Sequence, residues 1–411
     1  MDAIAAIPVI SATSTLPKSS SSMSLSSAMS SEKGADSTSP TLCEQTEPTD
    51  KETDSTYSRE IALLNLSPED LDISHALGDR TFKTIECLRI NRCRMDGATF
   101  ASLVDAICAY ELPCLHTVDI SQNRVGGAQA GAALAKLLAH APAVRFLSLG
   151  WNQFSLGDLK DIVSFGPGTY SIQCLDLRAN PLGIPCKLSK TAKSDSAGSS
   201  WVGTLIAAMP HLTHVQLAQA TIDDSLLVTL LYALVSRSTS LEYIGLEWLG
   251  LGGRLATVRS IMSGLIPSDP KAPVRPLHLN LAANNLGDSG VKIITESGAV
   301  LSSLTLACNF ITERGTGMLA KWLPTSGLTL LELSDNYFGD QGIASLLATD
   351  GQCTADDAPR TQLISLGLNS CCLTDTSLRM ITEALAYNWA PLTSLRILRN
   401  NRMSPGAKVN L

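Results

Sequence analysis

An α/β solenoid, with parallel strands on one side and helices on the other, is the fold this 411-residue sequence predicts, on three observations. Apolar residues at a first position, +3, +5 and +10, with asparagine at +8, recur at steps clustering near 28 to 30 residues. A small residue near +14 (Gly290, Gly315, Gly342, Ser377) then opens a stretch whose apolar residues, such as Met318, Leu319 and Trp322, fall three and four apart. Aromatic residues make up only 5% of a chain that is 45% hydrophobic, which suits a narrow, repetitive interior filled by Leu and Ala. A period of this length is the mark of stacked supersecondary units.

The strand comes first in each unit. Residues at +3 and +5 are two apart and point to one side, while +2 and +4 point to the other. A turn follows, and the asparagine at +8 can donate to and accept from backbone groups that have left the ladder. The helical stretch closes the unit. No unit can bury its apolar side alone, so each must stack on its neighbours.

First positions fall at 61, 85, 115, 144, 172, 212, 241, 276, 301, 328, 363 and 392. The cleanest copies are Leu301-Leu304-Leu306-Asn309-Ile311 and Leu328-Leu331-Leu333-Asn336-Phe338. Seven units carry the turn asparagine: Asn123, Asn152, Asn180, Asn284, Asn309, Asn336 and Asn400. Cys93 and Cys371 stand there as thiols, and Glu69, Ala220 and Leu249 depart from the pattern.

This spacing resembles the leucine-rich repeat, in the longer form of ribonuclease inhibitor and the sensor domains of NOD-like receptors. The resemblance covers about residues 61–411. It implies a horseshoe with parallel strands on the concave face and helices on the convex face. It also implies a scaffold that serves inhibitors, sensors, adaptors and GTPase regulators, so function has to be sought in the site.

The chain divides into a tail at 1–58 and a repeat domain of about 12 units at 59–411. Ser and Thr occupy 23 of the first 58 positions and Tyr57 is the one aromatic, a composition that cannot bury enough apolar area to order itself. The apolar run Ile4 to Ile10 has no basic residue before it, and the first arginine is Arg59, which argues against a leader peptide. The run Leu226 to Val235 is too short to cross a bilayer. The expectation is a cytoplasmic monomer with no membrane association, with nucleus and cytoskeleton left open. Three longer steps, at 187–200, 267–276 and 349–360, predict projecting loops.

Eleven cysteines are scattered through the units, not spaced as staples, and read as buried free thiols in a reducing compartment. A net charge of −7 argues against a nucleic-acid partner. No P-loop, GxSxG or HExxH motif occurs, and His116, His211, His214 and His278 lie in different units, so no catalytic residue, metal site or cofactor is expected.

The remaining function is protein binding on the concave face. The positions +2, +4, +6 and +7 place Phe146, Trp151, Asp176, Arg178, His214, Tyr243, Glu247 and Trp248 there. Large aromatics on an exposed strand face are where binding energy concentrates. The alternative is activation of a GTPase, because the Ran activators resemble the same long-repeat scaffold. Arg89, Arg92 and Arg94 crowd one terminal strand and Arg396, Arg399 and Arg402 the other, and an arginine can stabilise charge in phosphoryl transfer.

Overall fold

The computed structural model describes residues 60–67, 82–165, 169–183, 198–237, 240–266, 277–348, 360–400 and 402–404. The tail at 1–58, Glu69, the segments 187–197 and 349–359, and the proline-rich step at 267–276 all lie outside the described residues.

Twelve strands among the described residues form one open parallel sheet in strict sequence order. They are β1 (Glu60–Leu64), β2 (Cys87–Asn91), β3 (Thr117–Asp119), β4 (Phe146–Ser148), β5 (Cys174–Asp176) and β6 (His214–Gln216). The second half holds β7 (Tyr243–Gly245), β8 (His278–Asn280), β9 (Ser303–Thr305), β10 (Leu330–Glu332), β11 (Ser365–Gly367) and β12 (Ser394–Arg396). Every pair sets one +3 residue opposite the next, as in Leu304 with Leu331 and Leu331 with Leu366. The chain thus forms the α/β leucine-rich-repeat solenoid that its periodicity predicts, with an open sheet.

Helices return the chain between strands. They are α1 (Gly97–Ile107), α2 (Ala128–His140), α3 (Leu156–Phe165), α4 (Gly198–Ala207) and α5 (Asp224–Arg237). After them come α6 (Leu255–Gly264), α7 (Gly287–Glu296), α8 (Glu313–Ser326), α9 (Gly339–Leu347) and α10 (Asp375–Ala386). Their buried faces join the +3, +5 and +10 residues in one continuous apolar core. Leu304, Leu306, Leu331 and Leu333 are wholly buried within it, so truncating any one to Ala costs about 2–5 kcal/mol. The small residue at +14 has a steric cause. A Cβ on Gly342 would lie 2.4 Å from the Phe338 side chain, which fills the +10 site.

The turn asparagines stitch one unit to the next. Asn336 Nδ2 donates to Leu306 O at 3.0 Å, and its Oδ1 accepts from the backbone of Asn309 at 3.0 Å and Ile311 at 2.9 Å. Asn309 does the same toward Leu281, Asn284 and Leu286. All seven asparagines are buried and bonded in this way. The cysteines at the same position keep only part of the pattern. Cys93 Sγ reaches Leu63 O at 3.5 Å and Cys371 Sγ reaches Leu333 O at 3.3 Å. Helix caps add a second link between units: Asp340 accepts from Thr374 N and Oγ1 at 2.9 and 2.6 Å, and Thr374 in turn caps α10.

Two readings need correction. The first unit begins three residues earlier than position 61, because Ile61 pairs with Leu88 and Leu63 with Ile90. Ile61 and Leu63 are buried while Leu64 is half exposed, and Leu66, not Glu69, falls at +8. Nor are the thiols uniformly buried. All eight cysteines among the described residues are free, but Cys114 and Cys308 are exposed and only Cys93 and Cys371 are fully enclosed.

Candidate partner-binding face

The strands end in a repeated backbone corner that decides which side chains leave the sheet. The +7 residue of every unit, from Asn65 through Trp151 and Trp248 to Arg399, has φ between 53° and 60°, and none is glycine. This left-handed conformation costs an ordinary residue roughly 1–2 kcal/mol. A bond across to the next unit offsets it: Trp151 N donates to Arg178 O at 2.8 Å and Trp248 N to Ala282 O at 3.2 Å. The corner turns the +7 side chain out at the end of the strand.

Over β6 to β8 the predicted residues converge on a polar network. Glu247 Oε1 accepts from Asn280 Nδ2 at 2.5 Å, Tyr243 Oη at 3.2 Å and Gln216 Nε2 at 3.3 Å. Gly245 makes room for it, since a Cβ there would overlap Gln216 Oε1 at 1.9 Å. Burial raises the Glu247 carboxyl above the ordinary range, and Oε2 is enclosed without any hydrogen-bond partner. Burial, with the neighbouring Glu247 carboxyl, pushes the Tyr243 phenol up to about 12, so it stays protonated and donates.

Aromatic rings flank this network. His214 stacks on Tyr243 with centroids 5.8 Å apart and planes at 17°, and His278 meets Tyr243 edge-on at 5.1 Å. Burial lowers the pKa of both histidines, so they are neutral at neutral pH. Asp176 and Arg178, also predicted for this face, bond to each other: Arg178 Nε lies 2.9 and 2.8 Å from the two carboxylate oxygens.

The large apolar side chains stand outside the network. Phe146, Trp151 and Trp248 are 43%, 49% and 59% exposed. The structure adds Phe310 and Tyr337, at 59% and 68%, which the reading of +2 to +7 missed. Both occupy +9, beyond the strand, and Phe310 again has positive φ. The available signal was an aromatic residue directly after the buried turn asparagine, in Asn309-Phe310 and Asn336-Tyr337.

The terminal arginines have separate surroundings. Arg89 pairs with Glu60 at 2.7 Å and Arg396 with Glu332 at 2.5 Å, while Arg92 Nε donates to Gln122 Oε1. No cluster of His, Cys, Asp or Glu among the described residues has the form of a metal site. Among those residues, no helix is long and apolar enough to cross a membrane.

Comparison with known proteins places this geometry. A family description reading "Leucine Rich repeat" matches residues 277–294, the unit that contains β8 and Asn284. Mouse NACHT, LRR and PYD domains-containing protein 14 is 30% identical over 213 residues, which are 50% of this chain and 20% of that protein. Pig ribonuclease inhibitor is 25% identical over 290 residues, covering 64% of this chain and 61% of the inhibitor. This chain therefore spans a fifth of the first relative's length and about three fifths of the second's. Among solved structures, a chain from the yeast Rad7–Elc1 complex superposes with a TM-score of 0.46 at 12% identity, over 79% of this chain and 74% of that one. With twelve paired strands, buried turn asparagines and these relatives, the chain is a leucine-rich-repeat protein of the long-repeat, ribonuclease-inhibitor-like class.

Proposed function

We propose that this chain is a non-catalytic interaction module that holds a partner protein on its strand face. The observation that carries this reading is the exposure of Trp151 and Trp248 at a position where the fold asks for no indole. The same left-handed corner is made by Ala179, Gln219, Ala283 and Ser370 in other units. A tryptophan there adds nothing to the corner and holds apolar surface in water. Trp and Tyr are the residues in which interface energy concentrates. Phe146 and Trp151 would form one anchor point, and Tyr243 with Trp248 the other. The Glu247 network would hold the second anchor in place, through the Tyr243 hydroxyl that donates to Glu247 Oε1 at 3.2 Å.

Affinity capture with the full chain and with a Trp151→Ala/Trp248→Ala variant tests this reading. The wild type should retain a defined set of proteins that the variant loses, with both chains equally folded. Identical sets would sink it. The competing reading, stimulation of GTP hydrolysis, finds Arg89 and Arg396 already bound to carboxylates, while Arg92 and Arg94 make no ion pair among the described residues. No increase in hydrolysis by any small GTPase is expected, and an increase abolished by Arg89→Ala, Arg92→Ala or Arg94→Ala would displace the main proposal.

A further inference from the structure

The pairing of β2 with β3 and of β3 with β4 aligns three successive units, so their +7 and +9 residues form two short rows at the strand ends. The +7 row reads Arg92, Gln122, Trp151 and the +9 row reads Arg94, Arg124, Gln153. All six are exposed. With neighbouring strands ~4.8 Å apart, the patch is about 10 Å wide.

Its composition is unlike that of the chain. It holds three guanidinium groups and no carboxylate, in a protein whose net charge is −7. Arg94 and Arg124 make no ion pair and no side-chain hydrogen bond among the described residues. Arg92 donates to Gln122 Oε1, which orients the guanidinium without neutralising it. The nearby acids are committed: Asp96 turns to cap α1 through Thr99 N at 2.8 Å, and Asp119 Oδ1 accepts from Asn91 Nδ2 and Ser121 N at 2.9 and 3.0 Å. The backbone beneath is held, with Arg124 N bonded to Met95 O and Gln153 N to Val125 O, both at 2.8 Å. Trp151 stands beside the charges as an exposed apolar surface.

We infer that this rim docks an acidic peptide segment of the partner, with carboxylates on Arg92, Arg94 and Arg124 and an apolar side chain on Trp151. The inference rests on the strand-face reading above and adds to it the partner's chemistry. Charge complementarity selects the occupant. Arginine presents a planar fork that matches a carboxylate with two bonds, and none of these three guanidinium groups is paired with a carboxylate among the described residues. Nucleic acid would use the same chemistry, but backbone binding needs a broad basic face and this one covers three units of an acidic chain.

Panning a random peptide display library on the full chain tests the inference. The recovered peptides should be enriched in Asp and Glu around an apolar residue. A synthetic copy should lose ~10-fold or more in affinity to an Arg92→Glu/Arg94→Glu/Arg124→Glu variant and weaken in about 0.5 M NaCl. The matching triple lysine variant should retain most of the binding, and Trp151→Ala should weaken it. Peptides without acidic enrichment, or acidic peptides that ignore the charge reversal, would overturn the inference. So would a single-stranded RNA or a DNA duplex binding the rim where acidic peptides do not. Equal melting temperatures for the variants show that the exposed substitutions leave the fold intact. If charge reversal has no effect while Trp151→Ala/Trp248→Ala abolishes partner capture, this inference fails and the strand-face reading stands.

Discussion

Asn336 holds the turn of the unit before its own: its side-chain oxygen accepts the backbone N–H of Asn309 at 3.0 Å, and its side-chain nitrogen donates to Leu306 O at 3.0 Å. Both residues are fully buried, so water cannot replace a lost bond. Asn336→Ala and Asn309→Ala should each cost about 1–3 kcal/mol in chemical denaturation. Asn91→Ala should cost less, because Asn91 lies outside this ladder and bonds Asp119 and Ser121 on the half-exposed strand face. Equal, near-zero losses at all three sites would contradict this account of the turns.

Cys371 sits where an asparagine would complete the same ladder, and its thiol replaces the amide with weak contacts to Leu333 O and Asn369 O, both at 3.3 Å. Burial pushes this thiol up to about 12, so it remains a neutral thiol throughout the physiological range. Iodoacetamide at pH 8 should therefore spare Cys371 while it modifies the exposed Cys114. Cys371→Asn should raise stability by about 0.5–1.5 kcal/mol, the usual net value of a restored hydrogen bond. Peptide mapping and a urea titration check the two statements.

Trp151 and Trp248 are the exposed indoles among those whose side chains are described, whereas Trp322 and Trp389 are buried. Iodide should quench part of the tryptophan emission, and Trp151→Ala/Trp248→Ala should remove most of the quenchable part. The melting temperature should barely move, because the variant opens no cavity in the core. A large drop in melting temperature would assign the indoles to structural packing instead.

Glu247 and the histidines beside it predict opposite responses to pH. The raised carboxyl means that the folded state binds this proton more tightly than the unfolded chain. Its contribution is present at pH below the ordinary glutamate value and is lost as pH rises through the raised one. Glu247→Gln should thus match wild type at low pH and gain on it as pH rises, while its amide oxygen still accepts from Tyr243. His214 and His278 have lowered values, so their contribution is present above the ordinary histidine value and is lost as pH falls through the lowered ones. Replacing both by Gln should flatten the acid side of the stability profile. Denaturation midpoints measured across pH for the three chains decide both points.

Eleven of the twelve strand registers were legible because an asparagine or an unambiguous alternation marks them. The first was not. Ile61, Leu63, Leu64 and Leu66 offer apolar pairs two apart in either of two registers, and no asparagine marks the turn. Pairing of Ile61 with Leu88 settles it, since only that register buries the residues facing the core. The face was legible in part for a related reason. Period-two alternation predicts +2 to +6, and a corner at +7 follows from the turn, but Phe310 and Tyr337 at +9 lie beyond the strand, where alternation no longer assigns a side.

The sequence by itself determined the unit, the side of the strand that enters the core and the residues that close each turn, because those depend on spacing within one repeat. Tertiary structure decided what belongs to several repeats at once. Gln216, Tyr243, Glu247 and Asn280 lie in three successive units and meet on one carboxylate, and Gly245 gives way for a side chain from the unit before it. Likewise, Arg92 and Arg124 share a rim through the stacking of β2 on β3. Such contacts run across the ladder, where neighbours are about 30 residues apart in the chain, and a pattern read along one strand carries no information about them.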